Sequence, residues 1–369
     1  MKKSLFVILI AIMLLAASGA ALAADYKIGV VTGTVSQGED EYRGAENVAA
    51  KYGDMIVHSI YPDNFMQEQE TTIAQIVQLA SDRDVKVIVV SQAVPGTVAA
   101  IRQVRDMRPD VKFILGAPHE DVDLVEAVAD LSLETDQYAR GRTIPRLAHQ
   151  MGAKKFLHYS FPRHMSMQLL AERRDIMREE ADALGLEFLE VTAPDPMGDS
   201  GLPGTQQFIL EDLPRQVAEH GKDIAIFATN CGMMEPLIIG ALNTGAIFAE
   251  QCCPSPTHGY PAALGLAITD DISGDMNAIL KAIDAAVVER GGAGRFATWA
   301  VSFNMMTVEA GVEIARAYVE DGLDLADMDA VAAIFADTAG VDVAVSRNSD
   351  DGNFYMFTID SVIFGETEF

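Results

Sequence analysis

The segment FLHYSFPRHMSMQ, residues 156–168, places two histidines, an arginine, a tyrosine and two serines within thirteen positions. The arginine offers a bidentate fork for a carboxylate or a phosphate, the aromatic rings offer stacking faces, and the histidines are neutral donors and acceptors. A metal site needs several ligands at about 2 Å, and the segment has no acidic residue or cysteine to add. We therefore predict a loop that contacts a ligand through Tyr159, Phe161 and Arg163, with His158 and His164 as secondary candidates. An ordinary strand residue is the alternative for His158, and a surface salt bridge is the alternative for Arg163.

Uncharged hydrogen-bonding side chains follow two predicted strands in the first third of the chain. The loop TGTVSQGEDE, residues 32–41, has glycines that allow close backbone approach, but it lacks the G-x-G-x-x-G and Walker patterns of nucleotide phosphate sites. An ordinary loop with an acidic helix start is the alternative. The candidates from this loop and from the end of the strand VKVIVVSQ are Thr34, Ser36, Gln37, Ser91 and Gln92.

Two consecutive predicted strands of the second half end in cysteines. Cys231 follows DIAIFATN, and the adjacent Cys252 and Cys253 end AIFAEQCC. A disulfide between Cys231 and Cys252 or Cys253 is geometrically possible and leaves one thiol over. C-x-x-C spacing is absent, so we predict no metal site. A cysteine nucleophile with His258 as its base is the competing interpretation. The further candidates for ligand contact are Asn230, Gln251, His258 and Asn304.

These residues must be positioned by strands and helices that alternate along most of the chain. Runs such as VKVIVVSQ and DIAIFATN are apolar nearly throughout, and amphipathic helical patterns follow them. Strands of this kind are typical of a parallel sheet covered by helices on both faces. We predict an α/β fold of two doubly wound parallel-sheet lobes, residues 24–133 and 134–272, with residues 273–369 returning to complete both.

The start of the chain and its charge narrow the compartment and the partners. Two lysines, an apolar run and Ala21-Leu22-Ala23 predict a signal peptide over residues 1–23, and hence a periplasmic or secreted protein. The chain carries 54 Asp+Glu against 27 Lys+Arg, a formal net charge of -27. A field of this sign repels nucleic acid and anionic lipid. No later apolar stretch reaches eighteen residues, so we predict no direct membrane insertion.

An export signal followed by two such units resembles the type I periplasmic solute-binding proteins, the superfamily that includes ABC transporter substrate-binding proteins. The resemblance rests on DYKIGVVTGT, VKVIVVSQAVPGTVAAI, DIAIFATN and AIFAEQCCPSP, and it covers nearly all of the chain after the signal. The loops do not match the ribose, leucine or nucleoside-lipoprotein groups. The resemblance implies a hinge, an interdomain cleft in which strand-end loops contact the ligand, and an ABC-type membrane permease as partner.

Together these features predict an exported solute-binding protein that captures a small polar ligand, such as a nucleoside, sugar or flavin, and delivers it to a permease. We expect a monomer with no cofactor and no catalytic residues. A receptor subunit that serves a membrane sensor is the first alternative. An exported hydrolase that uses Cys231, Cys252 or Cys253 with His258 is the second.

Overall fold

The computed structural model describes residues 26–269, 272 and 275–369, and the predicted signal peptide lies outside them. Among these residues, no helix combines the length and apolar character that a membrane span needs. The strands are β1 Lys27–Thr32, β2 Ile56–Ile60, β3 Val85–Ser91, β4 Lys112–Gly116, β5 Leu131–Thr135, β6 Lys155–Ser160, β7 Glu187–Thr192, β8 Ile224–Ala228, β9 Ile247–Phe248, β10 Ala297–Trp299, β11 Val343–Arg347, β12 Phe354–Ile359 and β13 Ser361–Ile363.

Helices follow most of the strands, as the alternating pattern predicts. Several begin at a side-chain cap; for example, Asp136 accepts a hydrogen bond of 2.8 Å from the backbone N–H of Ala139 and starts a helix directly after β5. The helices are α1 Val35–Tyr52, α2 Gln69–Ser81, α3 Thr97–Met107, α4 Val122–Glu126, α5 Gln137–Gln150, α6 Pro162–Met165, α7 Gln168–Ala183, α8 Gly201–His220, α9 Met234–Thr244, α10 Tyr260–Leu264, α11 Met276–Glu289, α12 Phe303–Asp321 and α13 Met328–Ala339.

The first sheet has seven strands in the order β11-β12-β5-β4-β3-β1-β2. All neighbours are parallel except β11 and β12. Alternate residues of the central strands enter two separate apolar cores: one packs against α1, α12 and α13, and the other packs against α2 and α3. Burial on both faces explains why these strands are apolar nearly throughout.

The second sheet has four parallel strands in the order β7-β6-β8-β9. One face of this sheet packs against α8, α9, α10 and α11, and the other packs against α5 and α7. The short strands β10 and β13 pair with each other antiparallel and lie beside β9 through a bridge between Phe248 and Phe296. The predicted α/β fold class, with parallel sheets covered on both faces, is confirmed.

The chain passes between the two sheets three times. It leaves the first sheet after β5, returns from β10 to α12, and leaves again between β12 and β13. The last 97 positions of the sequence, 273–369, thus include strands of both the seven-stranded sheet and the β10–β13 pair. The lobe boundaries at residues 133 and 272 remain predictions.

Several elements differ from the predicted pattern. The apolar pattern of the tail YMFTIDSVIFGETEF predicts one last strand, whereas the tail forms β12 and β13 in different sheets, with Asp360 between them. The run AIFAEQCC, predicted as a strand, pairs only over β9, because a loop held by buried side chains begins soon afterwards. The pattern of GRFATWAVSFNM predicts a strand, whereas the run contains only the short β10 and then the start of α12, since Ser302 caps that helix.

Candidate functional site

Three thiols meet where β8 and β9 of the second sheet end. The Sγ atom of Cys231 lies 3.3 Å from the Sγ atoms of both Cys252 and Cys253, and all three are free cysteines. A ring nitrogen of His258 and the sulfurs of Cys231 and Cys252 lie within 4.8 Å of one another. We call these four residues the cysteine–histidine cluster. The predicted disulfide stays a prediction, because Cys231 is equally close to both of its possible partners.

A side-chain cap holds the turn that carries Cys231. The Oδ1 atom of Asn230 accepts a hydrogen bond of 2.9 Å from the backbone N–H of Gly232, at the start of the 3-10 turn Cys231–Met233. The cap satisfies a backbone donor and sets the direction of the chain after β8. Asn230 was predicted to contact a ligand, and in this structure it positions Cys231.

Gln251 closes the loop that carries the rest of the cluster. Its side chain is buried, and its Nε2 donates to the carbonyl oxygens of Ser255 and His258 at 2.7 and 3.3 Å. Its Oε1 accepts a hydrogen bond of 2.9 Å from the Thr298 hydroxyl. A buried amide with these partners is costly to displace, so Gln251 holds the loop around the cluster.

The loop that carries Cys252 and Cys253, which we call the second cysteine loop, also fixes the orientation of His258. Its Nδ1 lies 2.8 Å from the carbonyl oxygen of Cys253. A carbonyl oxygen can only accept, so we assign the proton to Nδ1 when the ring is neutral, which leaves the Nε2 lone pair free to bind. The same hydrogen-bond pattern orients metal-ligating histidines in general.

Two buried arginines lie behind the cysteines. Arg140 forms an ion pair with Glu250 at 2.8 Å and donates to the carbonyl oxygens of Gln251 and Cys252 at 2.8 and 3.0 Å. Arg173 donates to the side-chain oxygen of Gln137, on α5. Its Nε and Nη2 atoms have no hydrogen-bond partner within the described part of the chain. Burial, and then the charge of Arg140, lowers the pKa of Arg173 to about 9. The thiols therefore have positive charge on their buried side.

Burial raises the pKa of the Cys252 thiol well above its usual range, and its contact with Cys231 acts in the same direction. A thiol in this state is a poor nucleophile without a group that removes its proton. Nδ1 of His258 bonds to a backbone carbonyl, where a catalytic triad would have an acidic side chain.

The first sheet presents a buried carboxylate near the cluster. Glu41, on α1, is 1% exposed, and a hydrogen bond from Gln92 engages its Oε1. Burial raises the pKa of Glu41 to about 7, although Gln92 and Asn304 beside it lower the pKa. Its Oε2 has no hydrogen-bond partner among residues 26–269, 272 and 275–369. A Cβ at Gly38 would lie 1.6 Å from Glu41 Oε1, so only glycine there leaves room for the carboxylate.

Direct contacts join the two sheets at this level. Asp40 accepts hydrogen bonds of 2.6 Å from the hydroxyls of Thr257, in the second cysteine loop, and Ser302, at the start of α12. When Glu41 is ionised, its charge raises the pKa of the Cys231 thiol. The strand ends of the two sheets meet at one surface. We call this surface the seam. Its members in the first half of the chain are Asp40, Glu41, Tyr61, Gln92 and His119, and its later members are Arg163, Asn304, Thr257 and the cysteine–histidine cluster.

Two residues at the ends of first-sheet strands have strained backbone. Gln92, after β3, has φ 53°, and Ala117, after β4, has φ 44°. Such φ values are uncommon for residues other than glycine and are often found at binding sites. Gln92, which the sequence predicts as a ligand contact, donates a hydrogen bond to Glu41 in this strained conformation. Its side chain therefore points toward the seam.

The other candidates in the first sheet lie elsewhere. The hydroxyl oxygens of Thr34 and Ser36 lie 2.8 Å apart, each is within hydrogen-bonding distance of the Asp63 carboxylate near the surface, and Gln37 is exposed. Ser91 is fully buried, and its hydroxyl lies 2.8 Å from that of a threonine on α12. The structure therefore brings Gln92 to the seam but leaves Ser91 in the core. Ligand contact by Thr34, Ser36, Gln37 and Ser91 stays a prediction.

The segment 156–168 divides between core and seam. Tyr159 is fully buried and its hydroxyl donates to Asp212 at 2.9 Å, so its ring packs in the core against α8. His158 stacks between two phenylalanine rings on the other face of the sheet, and burial lowers its pKa to about 3. Phe161 is 1% exposed. In this structure Tyr159, Phe161 and His158 are almost completely buried.

Arg163 lies closer to the seam. Its guanidinium makes two hydrogen bonds of 2.8 Å to Asp195, and its charge helps to lower the pKa of His119, in the loop after β4, to about 4, with burial as the main cause. His164 Nδ1 lies 3.1 Å from the Thr229 hydroxyl, and burial lowers its pKa to about 3. Arg163 and His164 thus face the first sheet, although both already have protein partners.

A cavity of about 330 Å³ lies beside this segment. It is lined by the side of β6 and β7 and by the loop that follows β6, including His158, Ser160, Phe161 and Met165. None of its lining residues belongs to the first sheet. The cavity therefore lies on the second sheet rather than at the seam.

Sequence reasoning missed Asp40, Glu41 and Tyr61. The acidic run EDE looks like a solvated helix start, which is the usual position of such residues. One signal was available: Glu41 is four and seven residues before Ala45 and Val48, which line the buried face of α1. Tyr61 follows β2, and no pattern in the sequence distinguishes it from a core tyrosine.

Comparisons with known proteins agree with the fold. A solved structure of a protein from Clostridium difficile 630, provisionally described as a transcriptional regulator, is 27% identical, has a TM-score of 0.78, and covers 92% of this chain and 99% of its own. An ABC transporter periplasmic solute binding protein from Actinobacillus succinogenes 130z with bound D-allose is 13% identical, has a TM-score of 0.55, and covers 80% of this chain and 92% of its own. A relative from Treponema pallidum (strain Nichols), described as an uncharacterized protein, is 36% identical over 181 residues, 47% of this chain and 82% of the relative.

The two covered sheets, the three crossings and these neighbours define a type I periplasmic solute-binding fold, as the resemblance implied. The chain belongs to the family described as protein of unknown function DUF3798, whose model matches residues 26–297. The match begins at the first described residue and ends in β10, so it includes every member of the seam except Asn304.

Proposed function

We propose that this chain is an exported solute-binding protein that captures a small polar ligand at the seam between its sheets and delivers it to an ABC-type permease. The observation that carries the proposal is the buried Glu41 carboxylate, whose Oε2 lacks a partner within the described residues where strand ends of both sheets meet. Buried polar groups are nearly always hydrogen-bonded, so an unpaired one marks a place that a ligand or water fills. Proteins with this fold bind ligands between such strand ends.

The chemistry at the seam supports binding better than catalysis. The pKa of the Cys252 thiol is raised by burial, which opposes formation of a thiolate nucleophile. His258 is held by the Cys253 carbonyl rather than by an acidic residue. The hydrolase alternative therefore has neither a thiol with a lowered pKa nor the carboxylate partner that supports the histidine of a catalytic triad.

Export is part of the proposal. The sequence of residues 1–23 supports it, and those residues lie outside the described part of the structure. The acidic charge and the expected monomeric state are compatible with a freely diffusing carrier, and size-exclusion chromatography with light scattering tests the second expectation directly.

A thermal-shift screen tests ligand capture. A ligand that binds only the folded state increases the free energy of unfolding by mass action, by about 2.7 kcal/mol at a concentration 100 times its Kd. The melting temperature rises as a result. Nucleosides, sugars, flavins and amino acids form the panel. We expect one class to raise the melting temperature, and Gln92→Ala to reduce that shift by removing the partner of Glu41. Gln103→Ala, on the exposed side of α3, is the control and should keep the full shift. No shift with any class would count against solute capture.

A ligand-sensing receptor is the second candidate function. It is favoured by the 27% identity to the Clostridium difficile protein provisionally described as a transcriptional regulator. Crosslinking in the native cell envelope separates the two functions: recovery of a permease subunit supports transport, whereas recovery of a membrane sensor supports the receptor.

A further inference from the structure

The cysteine–histidine cluster is a feature that capture of a sugar or nucleoside does not use. Its three thiols are the complete set of cysteines in the chain, and they come from two loops separated by about twenty residues. The sulfurs of Cys252 and Cys253 each lie 3.3 Å from that of Cys231, and a ring nitrogen of His258 lies within 4.8 Å of the sulfurs of Cys231 and Cys252, although C-x-x-C spacing is absent from the sequence.

We propose that Cys231, Cys252, Cys253 and His258 form a binding site for one thiophilic d10 metal ion, either zinc(II) or copper(I). Thiolate sulfur and imidazole nitrogen are the ligands that these ions prefer, and three cysteines with one histidine make a complete tetrahedral set for zinc. The proposal goes beyond solute delivery, because the ion binds whether or not a permease receives it. It also replaces the expectation, drawn from spacing alone, that the chain has no metal site.

The distances fit a site that needs only a small adjustment. Two sulfurs bound to one zinc ion at about 2.3 Å in tetrahedral geometry are about 3.8 Å apart. In the structure Cys231 Sγ is 3.3 Å from each of the other two sulfurs. Side-chain rotations that separate the sulfurs by about 0.5 Å would admit the ion at their centre.

Surrounding groups hold the four ligands in place. The Cys253 carbonyl accepts from Nδ1 of His258, which leaves Nε2 as the metal-binding nitrogen. Asn230 caps the turn of Cys231, and Gln251 ties together the loop that carries the other ligands. A bound metal is usually supported by such hydrogen bonds to its ligands.

Charge provides an independent argument. Three thiolates around zinc(II) carry a net charge of about -1, and around copper(I) about -2. Arg140 donates to the backbone carbonyl of Cys252, and Arg173 is buried with two guanidinium nitrogens unpaired in the part of the chain that the structure describes. The positive charge of Arg173 interacts with both Cys252 and Cys253. The Arg173 guanidinium lies 4.8 Å from the centre of the Phe227 ring and retains two donors without hydrogen-bond partners among the described residues, so its positive charge would help to hold a negatively charged metal–thiolate centre.

A disulfide is the competing state of the same cluster. A bond from Cys231 to either neighbour would use two sulfurs, leave one thiol and give His258 no ligand role. The two states are mutually exclusive, so an experiment that counts free thiols distinguishes them.

The test uses the full chain, purified anaerobically in reduced form and stripped of metal. Zinc(II) and copper(I) are titrated separately in competition with chromophoric chelators. We expect one equivalent of at least one ion to bind and to protect all three thiols from a thiol reagent. Cobalt(II) serves as a spectroscopic probe and should give sulfur-to-metal charge-transfer bands with the intense visible bands of a tetrahedral site.

Variants assign the ligands. Cys231→Ser should weaken binding on the order of 100-fold, and His258→Ala about 10-fold. The control is His149→Ala, which removes an exposed histidine on α5 and should leave the affinity unchanged. Circular dichroism and the urea midpoint of each metal-free variant show whether it folds. If Cys231→Ser does not fold, iodoacetamide protection of the three thiols in the wild-type protein provides the same assignment.

Three results would overturn the proposal. The first is no stoichiometric binding of either ion, and the second is binding that Cys231→Ser leaves unchanged. The third is a protein that shows one free thiol even after mild reduction, because that identifies a stable disulfide. None of these results concerns capture of an organic ligand, so the thermal-shift screen remains a separate test of the proposed function.

Discussion

Replacing Glu41 by glutamine should change the pH dependence of stability in a defined direction. Burial raises the pKa of Glu41 from 4.5 to about 7. In the unfolded chain the carboxyl loses its proton near pH 4.5, whereas in the folded protein it keeps the proton until about pH 7. The folded state therefore binds more protons in this interval, and the contribution of Glu41 to stability falls as pH rises through it. Glutamine does not titrate, and its carbonyl can still accept the hydrogen bond from Gln92.

The size of the effect follows from the shift. Each unit of pKa difference corresponds to about 1.36 kcal/mol, so a raise of about 2.5 units costs the folded state about 3 kcal/mol above pH 7. The comparison is the free energy of unfolding of Glu41→Gln minus that of the wild type. This difference should be about 3 kcal/mol larger at pH 8 than at pH 4.5. Asp40 and Cys231 also interact with Glu41, and both are present in the two proteins that are compared.

Urea denaturation at pH 4.5 and pH 8 measures the difference. Titration of every other group appears in both proteins, so it cancels in the comparison. Glu39→Gln, an exposed position on the same helix, is the control and should shift stability equally at both pH values. If Glu41→Gln shows the same difference from wild type at both pH values, Glu41 is ionised in the folded protein and the assignment of a buried neutral carboxyl is wrong.

Three further substitutions test other buried or paired charges. Arg140→Met should destabilise the protein by about 3–5 kcal/mol in urea because it leaves Glu250 buried and unpaired, and adding Glu250→Gln should restore most of the loss. His158→Phe should gain about 2 kcal/mol at pH 5 relative to pH 8, since burial lowers the pKa of His158 to about 3 and the unfolded state alone gains a proton between about pH 6.5 and 3; an equal effect at both pH values would contradict this. Arg163→Ala should weaken the binding of a ligand found by the screen while the urea midpoint stays within about 1 kcal/mol of wild type, because its partner Asp195 remains partly solvated; unchanged affinity would place the ligand away from this loop.

The α/β fold could be predicted because its central strands are buried on both faces. Such strands are apolar throughout and contrast with the amphipathic helices that cover them. The strand β5, LSLET, could not be predicted in this way, because its buried polar residues interrupt the apolar pattern. Glu134 is buried there, and the backbone and hydroxyl of Thr135 donate to its carboxylate. A local sequence pattern cannot show that a neighbour satisfies a buried carboxylate.

The segment that first indicated a binding loop shows the limit of strand-end reasoning. A strand alternates its side chains between two faces, so an uncertainty of one residue in the register reverses which side chains reach the core. Tyr159 and His158 point to opposite faces of β6, and both enter cores. Only Arg163 and His164, beyond the end of β6, face the first sheet.

The cysteine–histidine cluster could be predicted in part from the sequence. The carboxyl ends of parallel strands lie at one edge of a sheet, so cysteines that follow β8 and β9 must be close. The position of His258 could not be inferred, because it depends on a loop whose path is set by the side chain of Gln251. The sequence prediction treated the cysteines as one bridge and one spare thiol. In the folded chain Cys231 is 3.3 Å from both of the other sulfurs, and this shared contact is why a single ion, rather than a bond between one pair, can bind all three sulfurs at once.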